Sequence, residues 1–217
     1  ESGGAKPKYN VLFIAVDDLR PELGCYGNKL IKTPNIDKLA SQGMTFSNFH
    51  VGAACAPTRA MLMTGVDNHM AGMGNMLEIQ ADNQFGKPGY EGHLNDKVVT
   101  VATRMKDGGY HTYMAGKWHL GKSATTIPHA KGFERSFALM ESGADNYVEM
   151  PYSALYEEVH YFEDDKAVTL PTENYFSTDH YTKKMIDYIG SNREDGKPFF
   201  AYVAYQAVHY PLQAPKE

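Results

Sequence analysis

Short continuous apolar runs alternate along the chain with segments of helical periodicity. Residues 9–16 are an apolar run rich in β-branched side chains, which is typical of a strand buried on both faces. We interpret this run as the first central strand of a sheet. Residues 110–115 and 199–205 predict further strands, residues 44–50 are another candidate, and residues 160–169 predict a small hairpin.

Four segments have the periodicity and the end signals of helices: residues 34–42, 57–64, 100–107 and 177–192. We expect Thr33 to cap the first of these helices and Ser177 to cap the last. Because strands and helices alternate, the sequence predicts an α/β fold with a doubly wound, largely parallel sheet flanked by helices. Such a fold places function at the carboxyl ends of its strands.

Length and composition are those of an ordinary globular protein. The 217 residues suit one α/β domain or a piece of a larger one. No apolar run approaches the roughly 20 residues needed to span a bilayer, so we exclude a membrane span. The net charge of −5 and the scattered basic residues argue against a nucleic-acid surface. Two cysteines cannot form a disulfide framework, so they do not identify the cellular compartment of the protein. We prefer the periplasm or secretion to the cytoplasm.

Reactive residues follow the three clearest predicted strands. Asp17 and Asp18 follow the first strand, Lys117 and His119 follow the second, and His209 follows the last. Taken singly, the aspartates could form a turn or a helix cap, and each histidine could be a satisfied core residue. Three such endings at one edge of a parallel sheet predict a functional site instead.

The residue types at these endings suit an anionic substrate and a metal ion. Asp17 and Asp18 offer the oxygen ligands that a hard divalent cation requires, which implies calcium or magnesium. Zinc is disfavoured because no cluster of His and Cys accompanies them. Lys117 and His119 are two residues apart, so they project to one side if strand geometry persists. The lysine supplies fixed positive charge, and an imidazole with an ordinary pKa of about 6.5 can carry protons near neutrality.

The run Cys-Ala-Pro-Thr-Arg at residues 55–59 is the most informative motif of the chain. Cys55 is expected at or just before the N-terminus of the helix at 57–64, where the helix dipole adds positive potential. Arg59 lies one helical turn further on, and its permanent charge suits an oxyanion beside Cys55. The alternative interpretation is a small buried cysteine beside a proline-started helix.

Over essentially its whole length the chain resembles the N-terminal part of a type I sulfatase, and it is most similar to bacterial arylsulfatases. The run at 55–59 is similar to the C-x-P-x-R signature of that family. Further supporting segments lie at residues 10–18, 33–37, 89–95, 115–121, 132–135 and 209–215. The resemblance implies the fold of the alkaline phosphatase superfamily and a calcium ion bound by Asp17, Asp18 and residue 55.

The resemblance also implies that a maturation enzyme oxidises Cys55 to formylglycine, whose hydrate attacks the sulfur of a small-molecule sulfate ester. Arg59 would stabilise the hydrate, and Lys117 and His119 would bind the hydrate or the sulfate. His209 would protonate the leaving oxygen. The second hydroxyl of the hydrate would then expel sulfate with His119 as a base, a route that a cysteine thiolate lacks.

Type I sulfatases are substantially longer than this chain. We therefore expect residues 1–217 to be a truncated N-terminal part of the catalytic domain, without its C-terminal part and its smaller subdomain. Such a piece should expose apolar strand edges, associate with itself and show little activity alone.

Three other functions stay open. A formylglycine-dependent phosphonate or phosphate ester hydrolase of the same superfamily could share the fold and the nucleophile. A noncatalytic binding module could keep the fold, although it would not need to keep every reactive position. A cysteine hydrolase that uses Cys55 and His209 would leave the aspartate pair unexplained.

Overall fold

Six strands and four α-helices make up most of the regular structure of residues 8–216, the part of the chain that the computed structural model describes. In chain order these elements are β1 (Val11–Val16), α1 (Pro34–Gln42), α2 (Cys55–Thr64), α3 (Val101–Asp107), β2 (His111–Lys117), β3 (Arg135–Leu139), β4 (Tyr161–Glu163), β5 (Lys166–Val168), α4 (Ser177–Ser191) and β6 (Phe199–Tyr205). Short 3₁₀ turns occupy Gly24–Tyr26, Leu77–Ile79 and His129–Lys131.

The strands form one sheet in the order β1-β6-β2-β3-β4-β5. The first four strands in this order are parallel, whereas the hairpin of β4 and β5 is antiparallel. Val16 pairs with Tyr205, and Gly116 pairs with Ala204, so β1, β6 and β2 end at the same edge of the sheet. The residues that follow these three strands therefore meet there.

Helices cover both faces of the central strands. Neighbouring residues of a strand point to opposite faces, so Tyr202 of β6 joins the core shared with α2 and α3, whereas Val203 joins the core shared with α4. This arrangement confirms the predicted α/β fold, with a largely parallel sheet between two helical layers. Among residues 8–216, no helix has the length and apolar character needed to cross a bilayer.

Strands β2 and β6 approach each other closely at Gly116, just before Lys117. Gly116 has a φ of 116°, a conformation that L side chains rarely adopt. A Cβ atom at this position would lie 2.0 Å from the carbonyl oxygen of Ala204. Glycine is therefore required here, and the close contact fixes the end of β2 against β6.

Several predicted elements agree with the structure, and some differ in their ends. Helix α2 begins at Cys55 itself, and β2 continues to Lys117. The predicted hairpin turns at Asp164, which has a φ of 55°. Strand β3 has no counterpart among the predicted strands because Arg135 and Ser136 interrupt its apolar pattern.

Two strand predictions are wrong. Residues 44–50 form no strand, since within the described residues no neighbouring strand pairs with them and Met44 is 81% exposed. The sequence predicts β1 at the centre of the sheet with both faces buried, but within residues 8–216 it lies at the edge and pairs with β6 alone. Leu12 and Ile14 of β1 are therefore 54% and 50% exposed.

The helix-cap prediction is confirmed in position for Thr33, without a side-chain cap hydrogen bond, and is wrong for Ser177. Thr33 occupies the N-cap position of α1, but its hydroxyl accepts a hydrogen bond from the backbone of Gly24 and donates one to Asp37. Ser177 is already the first residue of α4, and its hydroxyl donates to the side chain of Asn146. Each hydroxyl is thus engaged by a tertiary contact that the local sequence does not reveal.

Candidate active site

Three charged side chains from three elements form a buried group at the carboxyl edge of the sheet. Asp17 directly follows β1, Lys117 ends β2, and Arg59 lies one turn into α2. Nη2 of Arg59 lies 3.1 Å from Oδ1 of Asp17, and Nζ of Lys117 donates to the other carboxylate oxygen. All three side chains are buried. We call Asp17, Arg59 and Lys117 the charged cluster.

The charged cluster holds one carboxylate and two cations, so it carries one excess positive charge. Burial alone would raise the pKa of the Asp17 carboxyl, but Lys117 and Arg59 outweigh burial and hold that pKa below its ordinary value. Asp17 is therefore ionised near neutrality. Because little water screens this region, the excess positive charge favours a nearby anion.

Arg59 has three hydrogen-bond partners, and one of its nitrogen atoms is buried without a partner within residues 8–216. Nη1 donates to the carbonyl oxygen of Lys117 at 2.8 Å and to the hydroxyl of Tyr202 at 3.2 Å, and Nη2 donates to Asp17. The buried Nε atom has no hydrogen-bond partner among the described residues. Since an unpaired buried donor costs roughly 1–3 kcal/mol, this N–H is a position at which an anion would be stabilised.

Cys55 is the first residue of α2, as the sequence predicts for a position at the helix N-terminus. Its Sγ lies 3.4 Å from Nδ1 of His119 and 3.6 Å from Sδ of Met76. Burial alone would raise the pKa of the Cys55 thiol, but the hydrogen bond with His119 and the charge of Lys117 lower it. The surroundings of residue 55 therefore favour a negative charge at this position.

His119 lies between Cys55 and a carboxylate. The prediction that Lys117 and His119 project to the same side required strand geometry to continue to His119. The φ of 58° at His119 shows that it does not. Nε2 of His119 lies 2.8 Å from Oε1 of Glu78, and the Tyr156 hydroxyl donates to the same oxygen. Burial alone would lower the pKa of His119, but the hydrogen bonds with Cys55 and Glu78 raise it.

Asp18 and His209 lie at a more exposed part of the same edge. The Asp18 side chain is 63% exposed, and its Oδ2 lies 3.9 Å from Nε2 of His209. Nδ1 of His209 hydrogen-bonds to the carbonyl oxygen of Tyr210, and its ring packs edge-on against Tyr152 with centroids 5.2 Å apart. His209 makes no hydrogen bond to Cys55 in the described structure.

A divalent cation fits these residues only in part. The carboxylates of Asp17 and Asp18 have the right chemistry for calcium, which takes six to eight oxygen ligands. However, Asp17 is already neutralised by Arg59 and Lys117. Within residues 8–216 no three His, Cys, Asp or Glu side chains converge on a point that could hold a metal ion. Within residues 8–216, Asp17 and Asp18 therefore do not form a complete site for a divalent cation.

A cavity of about 400 Å³ opens beside His119 and Glu78. Its lining includes His93 and the charged side chains Lys122 and Glu141. His69 lines a separate cavity and packs edge-on against Tyr90.

Sequence reasoning misses three residues that take part in the hydrogen bonds of the site: Glu78, Tyr156 and Tyr202. Glu78 belongs to the 3₁₀ turn at Leu77–Ile79, and Tyr156 lies in an irregular segment, so neither has a periodic pattern that marks it. Tyr202 sits in an apolar strand and reads as a core residue. Its hydroxyl is the one usable signal, because a buried tyrosine usually needs a hydrogen-bond partner.

A family model described as "Sulfatase" matches residues 9–217. An uncharacterized sulfatase of Schizosaccharomyces pombe is 40% identical over 97% of this chain and 39% of its own length. An arylsulfatase of Klebsiella aerogenes is 39% identical over 100% of this chain and 47% of its own length. The similarity therefore extends to a yeast protein as well as a bacterial one.

One solved structure has a fold similar to that of this chain, and the match covers similar shares of the two chains as the sequence relatives do. The crystal structure of Ps i-CgsB matches with a TM-score of 0.81 and 29% sequence identity, over 97% of this chain and 47% of that one. The chain thus spans less than half the length of each of these proteins.

Proposed function

Because this chain belongs to the sulfatase family, we propose that it supplies the nucleophile-bearing part of an enzyme that hydrolyses sulfate esters. The observation that carries the proposal is Cys55, which lies at the N-terminus of α2 beside a buried cluster with excess positive charge. A sulfate ester is an anion whose transferring group gains stability from fixed positive charge. Nucleophile and charge lie at the same edge of the sheet.

Residue 55 is proposed to act as formylglycine, which a separate maturation enzyme would form from Cys55. The converted residue would supply two hydroxyl groups as its hydrate, one to attack sulfur and one to release sulfate. The contacts of Cys55 support this role, because surroundings that lower a thiol pKa also favour a deprotonated hydroxyl at the same place.

The neighbouring side chains have separate roles in this proposal. Arg59 and Lys117 hold the sulfate oxygens and stabilise the charge on the transferring group, and the unused Nε donor of Arg59 is available for this. His119 lies 3.4 Å from residue 55 through Nδ1, where it can accept a proton. General acid–base catalysis of this kind typically contributes about 10²- to 10⁴-fold.

The outer part of the site is proposed to hold the leaving group and a metal ion. His209 would donate a proton to the leaving oxygen. Asp17 and Asp18 would bind calcium together with oxygen ligands beyond those in the described residues, since two carboxylates alone do not fill its coordination shell. When bound, the ion would act as a Lewis acid toward the sulfate group.

Aryl sulfates are the proposed first substrate class, and the name of the Klebsiella aerogenes relative supports this choice. The test is the ratio of kcat/KM for an aryl sulfate to that for the matching aryl phosphate, measured on the full-length protein. We expect a preference for the sulfate. Cys55→Ala should abolish turnover, whereas Cys25→Ala removes the other free cysteine and should not.

Other results would contradict this proposal in different ways. A preference for the phosphate would favour the phosphonate or phosphate ester hydrolase. Absence of turnover of both esters, in a sample whose residue 55 has been converted, would favour a noncatalytic module.

A further inference from the structure

The His119 ring is held from both sides by residues distant in sequence. On one side Nδ1 faces Sγ of Cys55 at 3.4 Å, and on the other side Nε2 faces Oε1 of Glu78 at 2.8 Å. Both ring nitrogens are thus engaged, and only one of the two partners belongs to the proposed reaction. The His119 side chain is 8% exposed and that of Glu78 11%, so water competes little for either contact.

We propose that Glu78 is a positioning residue that fixes the His119 ring with Nδ1 directed at residue 55. The orientation rests on the contacts of Glu78 and His119 alone. The effect of Glu78 on turnover rests in addition on the proposed function of residue 55.

The His119 ring needs such a partner. The terminal torsion of a histidine side chain is soft and roughly two-fold, so rotating the ring by half a turn would replace Nδ1 with a carbon atom at residue 55. The φ of 58° places the His119 backbone in the left-handed region, which is unfavourable for a side-chain-bearing residue and must be offset by its contacts. The hydrogen bond to Glu78 selects one of the two ring orientations.

Glu78 is itself held in place. The Tyr156 hydroxyl donates to the same carboxylate oxygen that faces His119, and the backbone N–H of Ser142 donates to the Tyr156 oxygen at 3.3 Å. The Ser142 hydroxyl lies 2.8 Å from the hydroxyl of Tyr152. The Tyr156 hydroxyl therefore holds Glu78 in place, and the backbone amide of Ser142 holds Tyr156 in turn.

Glu78 also carries the charge that strengthens the contact. Burial alone would raise its pKa, but the hydrogen bond with His119 and that ring's charge lower the pKa to about 2. An ionised acceptor forms shorter and stronger hydrogen bonds than a neutral one. Lys117 also acts on His119 through its charge, but its ammonium group donates to Asp17 and makes no ion pair with Glu78 among the described residues.

The test compares Glu78→Ala, Glu78→Gln and Glu134→Gln in the full-length protein with residue 55 converted. Glu134 is the matched control, because it pairs with His111 at 2.8 Å at the opposite end of β2. At one fixed pH we expect Glu78→Ala to lower kcat roughly 10- to 100-fold with KM nearly unchanged. Glu78→Gln keeps an acceptor oxygen and should recover part of the loss, and Glu134→Gln should match the wild type.

A second measurement does not depend on turnover. Proton–nitrogen NMR of the His119 ring should show a protected Nε2–H proton in the wild type and in Glu78→Gln, and none in Glu78→Ala. Should the full-length protein hydrolyse no sulfate ester, this readout still decides the orientation. Should Glu78→Ala fail to fold, Tyr156→Phe replaces it, with a smaller loss of kcat and faster exchange of the ring proton expected. A wild-type kcat, or an unchanged ring proton, in Glu78→Ala or in Tyr156→Phe would overturn the proposal.

Discussion

Replacing Asp17 with asparagine removes the only carboxylate of the charged cluster while keeping its shape. The asparagine oxygen can still accept a hydrogen bond from Arg59. What disappears is the negative charge between two buried cations, Arg59 and Lys117. The substitution therefore isolates the electrostatic part of the contact.

The structure sets the scale of the expected effect. At the 3.1 Å that separates Nη2 of Arg59 from Oδ1 of Asp17, an effective dielectric constant of about 20 gives an attraction of roughly 5 kcal/mol. Part of this is offset, because burying each charge removes its hydration. Measured losses on removing one partner of a buried pair are about 3–5 kcal/mol, and we expect Asp17→Asn to fall in that range. That is a large share of a typical stability of about 5–15 kcal/mol.

The assay is urea unfolding of the full-length protein in chelating buffer, so that a metal ion contributes to neither variant. Asp18→Asn is the matched control, because the Asp18 side chain is 63% exposed and its Oδ2 lies as far as 3.9 Å from Nε2 of His209. The control should change stability by less than about 1 kcal/mol. A loss below about 1 kcal/mol for Asp17→Asn would refute the view that this carboxylate stabilises the two buried cations.

The same substitution should alter the acid limb of stability. Because the pKa of folded Asp17 lies below its unfolded value of about 3.9, its contribution is present above that value and is lost as pH falls through the folded pKa. The Asp17→Asn variant should lack this part of the acid-induced loss.

Four other expectations follow from the site and from the sheet. Cys55→Ser should accumulate a covalent sulfate ester, visible by mass spectrometry, because serine lacks the second hydroxyl that releases sulfate; sustained turnover at the parental rate would contradict this. Exhaustive chelation should suppress turnover, and full activity after it would argue against a metal requirement. Burial alone would lower the pKa of His111, but Glu134 and Asp195 raise it, so its stabilising effect is present below about pH 6.5 and is lost as pH rises through the folded pKa. His111→Asn should remove that pH dependence from unfolding curves. The exposed edge of β1 should make the isolated chain associate, and Ile14→Lys should reduce the light scattering that reports it.

The sequence predicts the site residues that follow strand ends and the one that lies one helical turn after Cys55. Asp17 and Lys117 follow apolar runs, and the rule that parallel strands end at one edge predicts from the sequence pattern alone that they lie close together. Arg59 lies four residues after Cys55, so helix geometry alone places it nearby. These relations are local, or they follow from a single topological rule.

The remaining parts of the site depend on contacts between segments that share no pattern. Glu78 reaches His119 across 41 positions of sequence and from a short turn, and Tyr156 reaches Glu78 across 78. The edge position of β1 was also beyond reach, because an apolar run predicts burial and says nothing of which strands are available to pair with it. Residues 44–50 show the same failure, since their pattern suits a strand but no partner strand lies beside them in residues 8–216.

The most direct test of the central claim is the mass of the peptide that contains residue 55, taken from a full-length preparation that hydrolyses an aryl sulfate. Conversion of Cys55 to formylglycine replaces one sulfur and two hydrogen atoms by one oxygen atom and so lowers the mass. We expect the lighter peptide, and we expect its fraction to rise and fall with the specific activity of the preparation. Full turnover by a preparation that contains only unmodified Cys55 would contradict the formylglycine mechanism.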